Sequence, residues 1–211
     1  MPQRLAALAA RFTTVAVAGL LAWAPAWADA GAPTHQLRTA VGQMVKILED
    51  PTLKAAEKEK ERRAAIRREA ETVFDFGETA KRALGRHWQP LAEKDRQEFT
   101  SLFTDLIERA YISRIERYSG ERVTYTGESM DGALASVRTR FVTKQGTEIP
   151  IDYRMQQRGD RWLVYDVVVE GVSLINNYRT QFDKIIQTSS YAELVRRLKA
   201  AEVAAPAAPK S

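Results

Sequence analysis

Two histidines, His35 and His87, are the side chains of this sequence best suited to proton transfer near neutral pH or to metal binding. The sequence has no cysteine, so a thiolate metal site, a cysteine nucleophile and a disulfide framework are excluded. Two isolated histidines also supply too few ligands for an all-protein zinc site. Neither histidine shares a motif with a carboxylate, so we expect both to be surface or helix-capping residues.

Three acidic residues in the second half of the chain, Asp152, Asp166 and Glu170, are further candidates for acid/base chemistry. No glycine-rich phosphate loop, G-x-S-x-G elbow or H-E-x-x-H pair accompanies them. All three stand at even-numbered positions of the strand-rich region, where the odd-numbered positions are the more apolar. We therefore expect their side chains to be solvated or paired with an arginine across strands. The arginines within reach are Arg138, Arg140 and Arg154.

The charge balance gives little sign of a polyanionic partner. The 32 Lys and Arg residues exceed the 27 Asp and Glu residues by a formal charge of +5, and this surplus is spread along the chain. We expect a mild attraction to anionic surfaces and no nucleic-acid partner. The 211 residues, 45% of them apolar, are enough for one well-buried domain.

The first 28 residues have the pattern of a secretory signal peptide. Arg4 and Arg11 precede a mostly apolar run over residues 12–27, and Ala26 and Ala28 are small residues at the spacing of a cleavage site. The run is shorter and weaker than the ~20 residues needed to cross a bilayer, which makes a retained anchor helix the lesser alternative. We therefore predict an exported, soluble domain over residues 29–200, followed by a disordered Ala/Pro tail over residues 201–211.

Apolar residues at helical spacing predict helices on both sides of a strand-rich region. One predicted segment, residues 54–71, holds seven basic and five acidic residues around Ile66. We expect it to be a solvated helix with one thin apolar edge, and a partner-binding helix is the alternative. The predicted helices cover residues 34–48, 54–71, 73–91 and 95–118, with two more that begin at Ser173 and Ser190.

From Glu121 the apolar residues alternate with polar ones. The four runs 122–128, 133–143, 147–156 and 161–170 are separated by short, glycine-containing turns, which predicts consecutive antiparallel hairpins. In each run the odd-numbered positions are the more apolar, so one face of the sheet should be buried. We therefore predict an α+β fold, a curved four-stranded antiparallel sheet whose apolar face is covered by helices from both ends of the chain.

The apolar face can pack into a solid core or can border a cavity, and periodicity does not separate the two. Small residues such as Ala133, Ala135 and Thr139 stand among Tyr and Phe on this face. That mixture is typical of ligand pockets and favours a cavity.

Two motifs resemble those of one known family. Residues 162–174 read W-L-V-Y-D-V-V-V-E-G-V-S-L, and residues 74–88 contain F-D-F followed by A-K-R-A-L-G-R-H-W. Both are similar to the MlaC, or toluene-tolerance, family of periplasmic phospholipid carriers, and the resemblance extends over residues 34–198. The charge of residues 54–71 and the Ala/Pro tail depart from that family.

The resemblance implies a sheet similar to that of nuclear transport factor 2, a helical subdomain, and a deep apolar pocket for the acyl chains of a glycerophospholipid. It implies two partners, an inner-membrane ABC transporter with a ring of MCE-domain subunits and an outer-membrane complex of a lipoprotein with a porin. It also implies a monomer without catalysis or cofactor. A related branch accompanies hopanoid biosynthesis, so a hopanoid or another apolar lipid is the alternative cargo.

We expect eleven residues to form the pocket wall: Phe103, Ile107 and Tyr111 on the long helix, Val137, Phe141, Ile151, Tyr153, Tyr165, Val167 and Val169 on the strands, and Val172 at the corner that follows. Two other functions stay open. An exported isomerase or dehydratase would use Tyr153 or Tyr165, the only inward acid/base candidates on the strands. A structural envelope adaptor would bind its partner through residues 54–71.

Overall fold

The computed structural model describes residues 31–204 and has an α+β fold, as the sequence predicts. The predicted signal peptide lies outside these residues, as does the part of the predicted tail after residue 204. None of the helices within residues 31–204 has the length and apolar character needed to cross a membrane. The elements, in chain order, are α1 (Ala32–Glu49), α2 (Glu59–Val73), α3 (Phe76–Leu84), α4 (Glu93–Ile115), β1 (Arg122–Asp131), β2 (Leu134–Val142), β3 (Glu148–Arg158), β4 (Arg161–Val169), β5 (Val172–Ser173), α5 (Leu174–Thr188) and α6 (Tyr191–Lys199).

The five strands form one antiparallel sheet in their sequence order, one strand more than the sequence predicts. The additional strand, β5, is only two residues long, too short to show alternation. It follows a two-residue turn in which Glu170 and Gly171 both have positive φ angles, 50° and 81°. This is the turn geometry that matches the twist of a hairpin, and it pairs Val169 with Val172.

A bulge in β4 changes which of its residues face the helices. One extra residue, Tyr165, interrupts the pairing with β3, so Asp166 lies opposite Arg154 while Val164 lies opposite Met155. Even-numbered residues of β4 therefore face inward before the bulge, and odd-numbered residues face inward after it. The prediction of odd inward positions holds along β2 and β3 but is wrong for the first half of β4.

A second bulge, in β1, brings a carboxylate to the inward face. The register shifts between Tyr125 and Gly127, which places Glu128 opposite the buried Val137. The Glu128 carboxylate then accepts a hydrogen bond from the backbone N–H of Thr34 at 2.8 Å. Because α1 has no capping side chain of its own, this carboxylate satisfies a free N–H of its first turn and interacts favourably with the helix dipole.

The largest hydrophobic cluster joins α3, α4, α5 and α6 into the predicted helical subdomain. Its centre is aromatic: the rings of Phe103 and Tyr178 meet edge to face at 5.1 Å between centroids, and Phe99 and Phe182 meet in the same way at 5.7 Å. Val203 is buried in this cluster as well. The prediction that the disordered tail begins at residue 201 is therefore wrong at Val203.

Two smaller hydrophobic clusters complete the core. In the first, Leu37 of α1 packs on the inward face of the sheet, against residues that include Val137 and Met155. In the second, Leu48, Ile66 and Ile112 join α1, α2 and α4. The apolar interior of residues 31–204 is thus divided among three clusters, and this division leaves room for a cavity between them.

The corner between the sheet and α5 is organised by Asp166, which is only 4% exposed. Its carboxylate accepts hydrogen bonds from the Ser173 hydroxyl at 2.7 Å and the Ile175 N–H at 3.2 Å, and it pairs with Arg154 at 3.1 Å. The expected ion pair with an arginine across strands is confirmed for Asp166. The carboxylate is also shielded from solvent, because β5 and the start of α5 supply its other partners.

Replacing this carboxylate tests its structural role. We expect Asp166→Ala to lower the free energy of unfolding by about 2 kcal/mol, because buried donors of Ser173 and Ile175 lose their acceptor. The control is Asp152→Ala, at a half-buried position of β3, for which we expect less than about 0.5 kcal/mol. Urea unfolding of both variants measures the difference, and equal small losses would contradict this role of Asp166.

Candidate functional site

A cavity of about 410 Å³ lies between the inward face of β3 and β4 and the helices that cover it. Its wall is mostly apolar and is built by every layer of the fold. The apolar residues that line it are Ile66, Ala70, Phe74, Phe76, Ile107, Ile112, Ile115, Ile151, Val167, Val169, Leu174 and Ile175. A volume of this size and a wall of this character are those of a binding site for an apolar ligand.

Seven of the eleven predicted wall residues lie in the lining of this cavity. They are Ile107 and Tyr111 on α4, Ile151 and Tyr153 on β3, and Tyr165, Val167 and Val169 on β4. The alternation along β3 and the helical spacing along α4 bring them together. Their contact with a lipid stays a prediction.

The other four predicted wall residues lie outside the lining. Phe103 is buried in the helical cluster, and Val137 is 0% exposed in the cluster beneath α1. Phe141 is half-buried near the end of β2, away from the cavity. Val172 is 47% exposed because it stands in the edge strand β5. Periodicity identifies the inward face of an element but not which part of that face borders empty space.

The sequence analysis missed the wall that α2 contributes. Ile66, Arg67 and Ala70 of this charged helix line the cavity, and Ile66 is buried. The many charges indicated a solvated helix with one thin apolar edge, and Ile66 and Ala70 stand four residues apart on that edge, which borders the cavity. That spacing is the signal in the sequence that identifies them.

Phe74 and Phe76 are placed in the wall by the residue between them. Asp75 caps α3 by accepting a hydrogen bond from the Glu78 N–H at 2.8 Å, and it also accepts one from the Arg158 guanidinium at 2.9 Å. Burial alone raises the pKa of Asp75, but these and other hydrogen bonds outweigh burial and hold the pKa below its usual value. The two phenylalanine rings then stack at 5.8 Å between centroids.

Ion pairs fasten the α2 wall to α4. Glu116, at the end of α4, pairs with Arg62 at 2.9 Å and with Arg63 at 3.1 Å, and its side chain is only 12% exposed. Arg67 pairs with Glu108 at 2.7 Å, and both of these residues line the cavity. Burial tends to raise the pKa of Glu116, but the hydrogen bonds from the two arginines outweigh burial and lower it.

Three tyrosines of the wall, Tyr111, Tyr153 and Tyr178, are poorly suited to proton transfer near neutral pH. Burial raises the pKa of Tyr153 to about 12, and it also raises the pKa of Tyr111 and of Tyr178. A general acid or base works best when its pKa lies near the working pH. Among residues 31–204, no three His, Cys, Asp or Glu side chains are grouped so that they could hold a metal ion.

His87 has a carboxylate partner that the sequence analysis did not identify. Its Nε2 atom lies 2.7 Å from the Asp183 carboxylate, which also pairs with Arg86 at 2.9 Å. Asp183 comes from α5, 96 positions further along the chain, so no local motif reveals the pair. Neither His87 nor the exposed His35 lines the cavity.

The sequence and the structure were compared with known proteins. The sequence profile of one family, described as MlaC protein, matches residues 38–200. A Haemophilus influenzae protein named intermembrane phospholipid transport system binding protein MlaC is 20% identical over 142 residues, which are 65% of this chain and 66% of that protein. The Pseudomonas putida toluene tolerance protein ttg2D is 26% identical over 92 residues, 43% of each chain. The matched stretches thus leave at least a third of each relative uncovered.

The fold is also found among solved structures. One of these is a phospholipid-binding protein from Ralstonia solanacearum in complex with a phospholipid. The two structures superpose with a TM-score of 0.71 over 81% of this chain and 96% of that one, at 24% sequence identity. At this level of identity the likeness establishes a shared fold.

The ion pairs of Glu116 predict a pH-dependent stability. We expect Glu116→Gln to lower the free energy of unfolding by about 1 to 2 kcal/mol at pH 7, since two arginines lose a largely buried partner. The pKa of Glu116 in the folded state is lowered, so its ion pairs stabilise the fold fully above the ordinary pKa of 4.5 and lose this effect as the pH falls through the lowered pKa. The decrease in unfolding free energy caused by Glu116→Gln should therefore be largest above pH 4.5 and should disappear at lower pH. Chemical unfolding at several pH values measures it.

The matched control for this experiment is Glu59→Gln. Glu59 pairs with Arg63 within α2, where both side chains are well exposed. We expect this variant to change the free energy of unfolding by less than about 0.5 kcal/mol at any pH. A loss in Glu116→Gln that did not change with pH would show that the charge of Glu116 is not what matters.

Proposed function

The chain belongs to the MlaC protein family, and on that premise we propose that it is a carrier that holds the acyl chains of a phospholipid in its cavity and moves the lipid between the outer and inner membranes. The observation that carries the proposal is the apolar cavity of about 410 Å³ between the sheet and the helices. Each methylene group shielded from water contributes about 0.8 kcal/mol, so a carrier in water must enclose much of the acyl chains.

The chemistry of the wall suits this cargo. Aliphatic and aromatic side chains form most of the wall, and its charged residues are Arg67, Glu108, Arg114 and Asp166. An amphipathic lipid matches this distribution when its tails point inward and its head group stays toward water. Affinity then comes mainly from buried apolar area.

We place this carrier in the periplasm, where it would exchange lipid with two membrane partners. The signal-peptide pattern of residues 1–28 supports export, and the relative from Haemophilus influenzae is named for an intermembrane transport system. The proposed partners are the inner-membrane ABC transporter with its MCE-domain ring and the outer-membrane lipoprotein and porin complex. We expect the carrier to be a monomer without cofactor or catalysis, a role that the raised pKa values of the wall tyrosines support.

Lipid analysis of the purified protein tests the proposal. We expect the protein without its signal peptide to release glycerophospholipid on extraction with organic solvent, and to take up phospholipid from liposomes after delipidation. Mass spectrometry of the extract identifies the cargo. A hopanoid in place of phospholipid would favour the alternative cargo, and the absence of any lipid together with no uptake would refute the carrier function.

Two tryptophan substitutions on the sheet separate cavity from solid core. Val167 lines the cavity and Val137 is fully packed, although the sequence predicts both as wall residues. We expect Val167→Trp to fill the cavity and lose most lipid uptake, with a change in unfolding free energy below about 1 kcal/mol. Val137→Trp should instead cost about 1 to 3 kcal/mol through overpacking. Liposome uptake and thermal unfolding are measured on both, and equal destabilisation would contradict an open cavity next to Val167.

A further inference from the structure

One region of the apolar wall contains two buried hydrogen-bond donors that have no acceptor. The hydroxyls of Tyr111 and Tyr178 are buried, and neither has a hydrogen-bond partner among residues 31–204. Arg114, an exposed residue, supplies a third donor beside them, and the central carbon of its guanidinium lies 5.4 Å from the centre of the Tyr111 ring. All three side chains line the cavity.

The two hydroxyls are close to each other and to the arginine. Burial raises the pKa of Tyr178, and the nearby Tyr111 raises it further while the charge of Arg114 lowers it. The pKa of Tyr111 is likewise raised by burial and lowered by Arg114. Each side chain thus lies within the electrostatic reach of the other two, although the two hydroxyls do not meet in the geometry of a hydrogen bond.

Unpaired polar atoms in such a place need an explanation. Tyr178 is 0% exposed, and a buried hydroxyl without a partner is unfavourable compared with the plain ring of phenylalanine. The great majority of buried polar side-chain atoms in proteins are paired for this reason. Arg114 is exposed, so water can solvate its guanidinium. No carboxylate among residues 31–204 lies within ion-pair distance of Arg114, whereas Arg67, the other arginine of the lining, has Glu71, Asp105 and Glu108 within that distance.

We propose that Tyr111, Tyr178 and Arg114 form a subsite that binds an acceptor oxygen of the cargo, an ester carbonyl or a phosphate oxygen of a glycerophospholipid. An arginine can only donate, and two phenol groups beside it are free to donate as well, so the matching group is rich in acceptors and poor in donors. This inference rests on the proposed function and deepens it. The subsite would distinguish a glycerophospholipid from a lipid that has neither ester nor phosphate.

The proposal also gives α4 a second role. Its residues Ile107 and Ile115 supply apolar wall, while Tyr111, between them in the sequence, and Arg114 supply donors. A lipid held here would be fixed at its glycerol region as well as along its tails. The cavity would then select its cargo by chemistry as well as by size and apolar character.

The experiment compares two probes on four variants. The first probe is a phosphatidylglycerol with one pyrene-labelled acyl chain, and the second is a pyrene-labelled alkane that has no oxygen. We expect Tyr178→Phe, Tyr111→Phe and Arg114→Gln each to weaken phospholipid binding about tenfold and to change alkane binding less than about twofold. The control is Tyr125→Phe, which removes another buried, unpaired hydroxyl that does not line the cavity, and we expect it to change neither affinity.

Thermal unfolding shows that the variants are folded and adds an independent readout. Without lipid, Tyr178→Phe should have a Tm equal to or higher than that of the wild-type protein, because the substitution removes an unsatisfied buried hydroxyl. The same variant should gain less Tm than the original chain when phospholipid is added, because the bound oxygen has lost a donor.

The outcomes separate the subsite from the proposed function. If the original chain binds both probes and the three variants lose neither or lose both equally, the subsite is refuted while the carrier function stands. If the original chain binds neither probe, the proposed function itself fails. Competition by inorganic phosphate at millimolar concentration against the labelled phospholipid would mean that the donors bind free anions, which overturns the assignment to a lipid oxygen.

Discussion

An unfilled apolar space inside a protein is unfavourable, because the atoms that line it lack the dispersion contacts of a packed interior. The structure described here must therefore keep its cavity open by means of the surrounding fold. It does so with three separate hydrophobic clusters, one among α3 to α6, one between α1 and the sheet, and one joining α1, α2 and α4. Each cluster is packed within itself, and the cavity occupies the space where they meet.

Four carboxylates complete the frame around this space. Asp75 ties the start of α3 to β3, Asp166 ties β4 to the start of α5, Glu116 ties α4 to α2, and Glu128 ties β1 to the start of α1. In each case the acid satisfies donors of a different element, and three of the four serve the first turn of a helix. Directional bonds of this kind fix where a helix begins, whereas apolar contacts alone allow it to slide. The wall thus takes its shape from polar groups at its edges.

The sequence predicts the class of fold and the order of nearly all elements, because alternation and helical spacing are strong along β2, β3, α4 and α5. It fails where one residue is added to a regular pattern. The bulge at Tyr165 leaves no mark in composition, and the one beside Gly127 is marked only by a glycine inside the strand. Each bulge reverses the facing of the residues on one side of it. The site is predicted in part for the same reason, since Val137 and Val167 have identical patterns and different surroundings.

The bulge at Tyr165 also divides β4 into two segments, one in which even-numbered residues face inward and one in which odd-numbered residues do. If Tyr165 instead took a regular place in the pairing with β3, either Trp162 and Val164 or Val167 and Val169 would turn to the opposite side of the sheet. The first pair packs beneath α1 and the second borders the cavity. The bulge is therefore what allows both pairs to face the helices, and a shift of register along this strand matters more than an exchange of one aliphatic side chain for another.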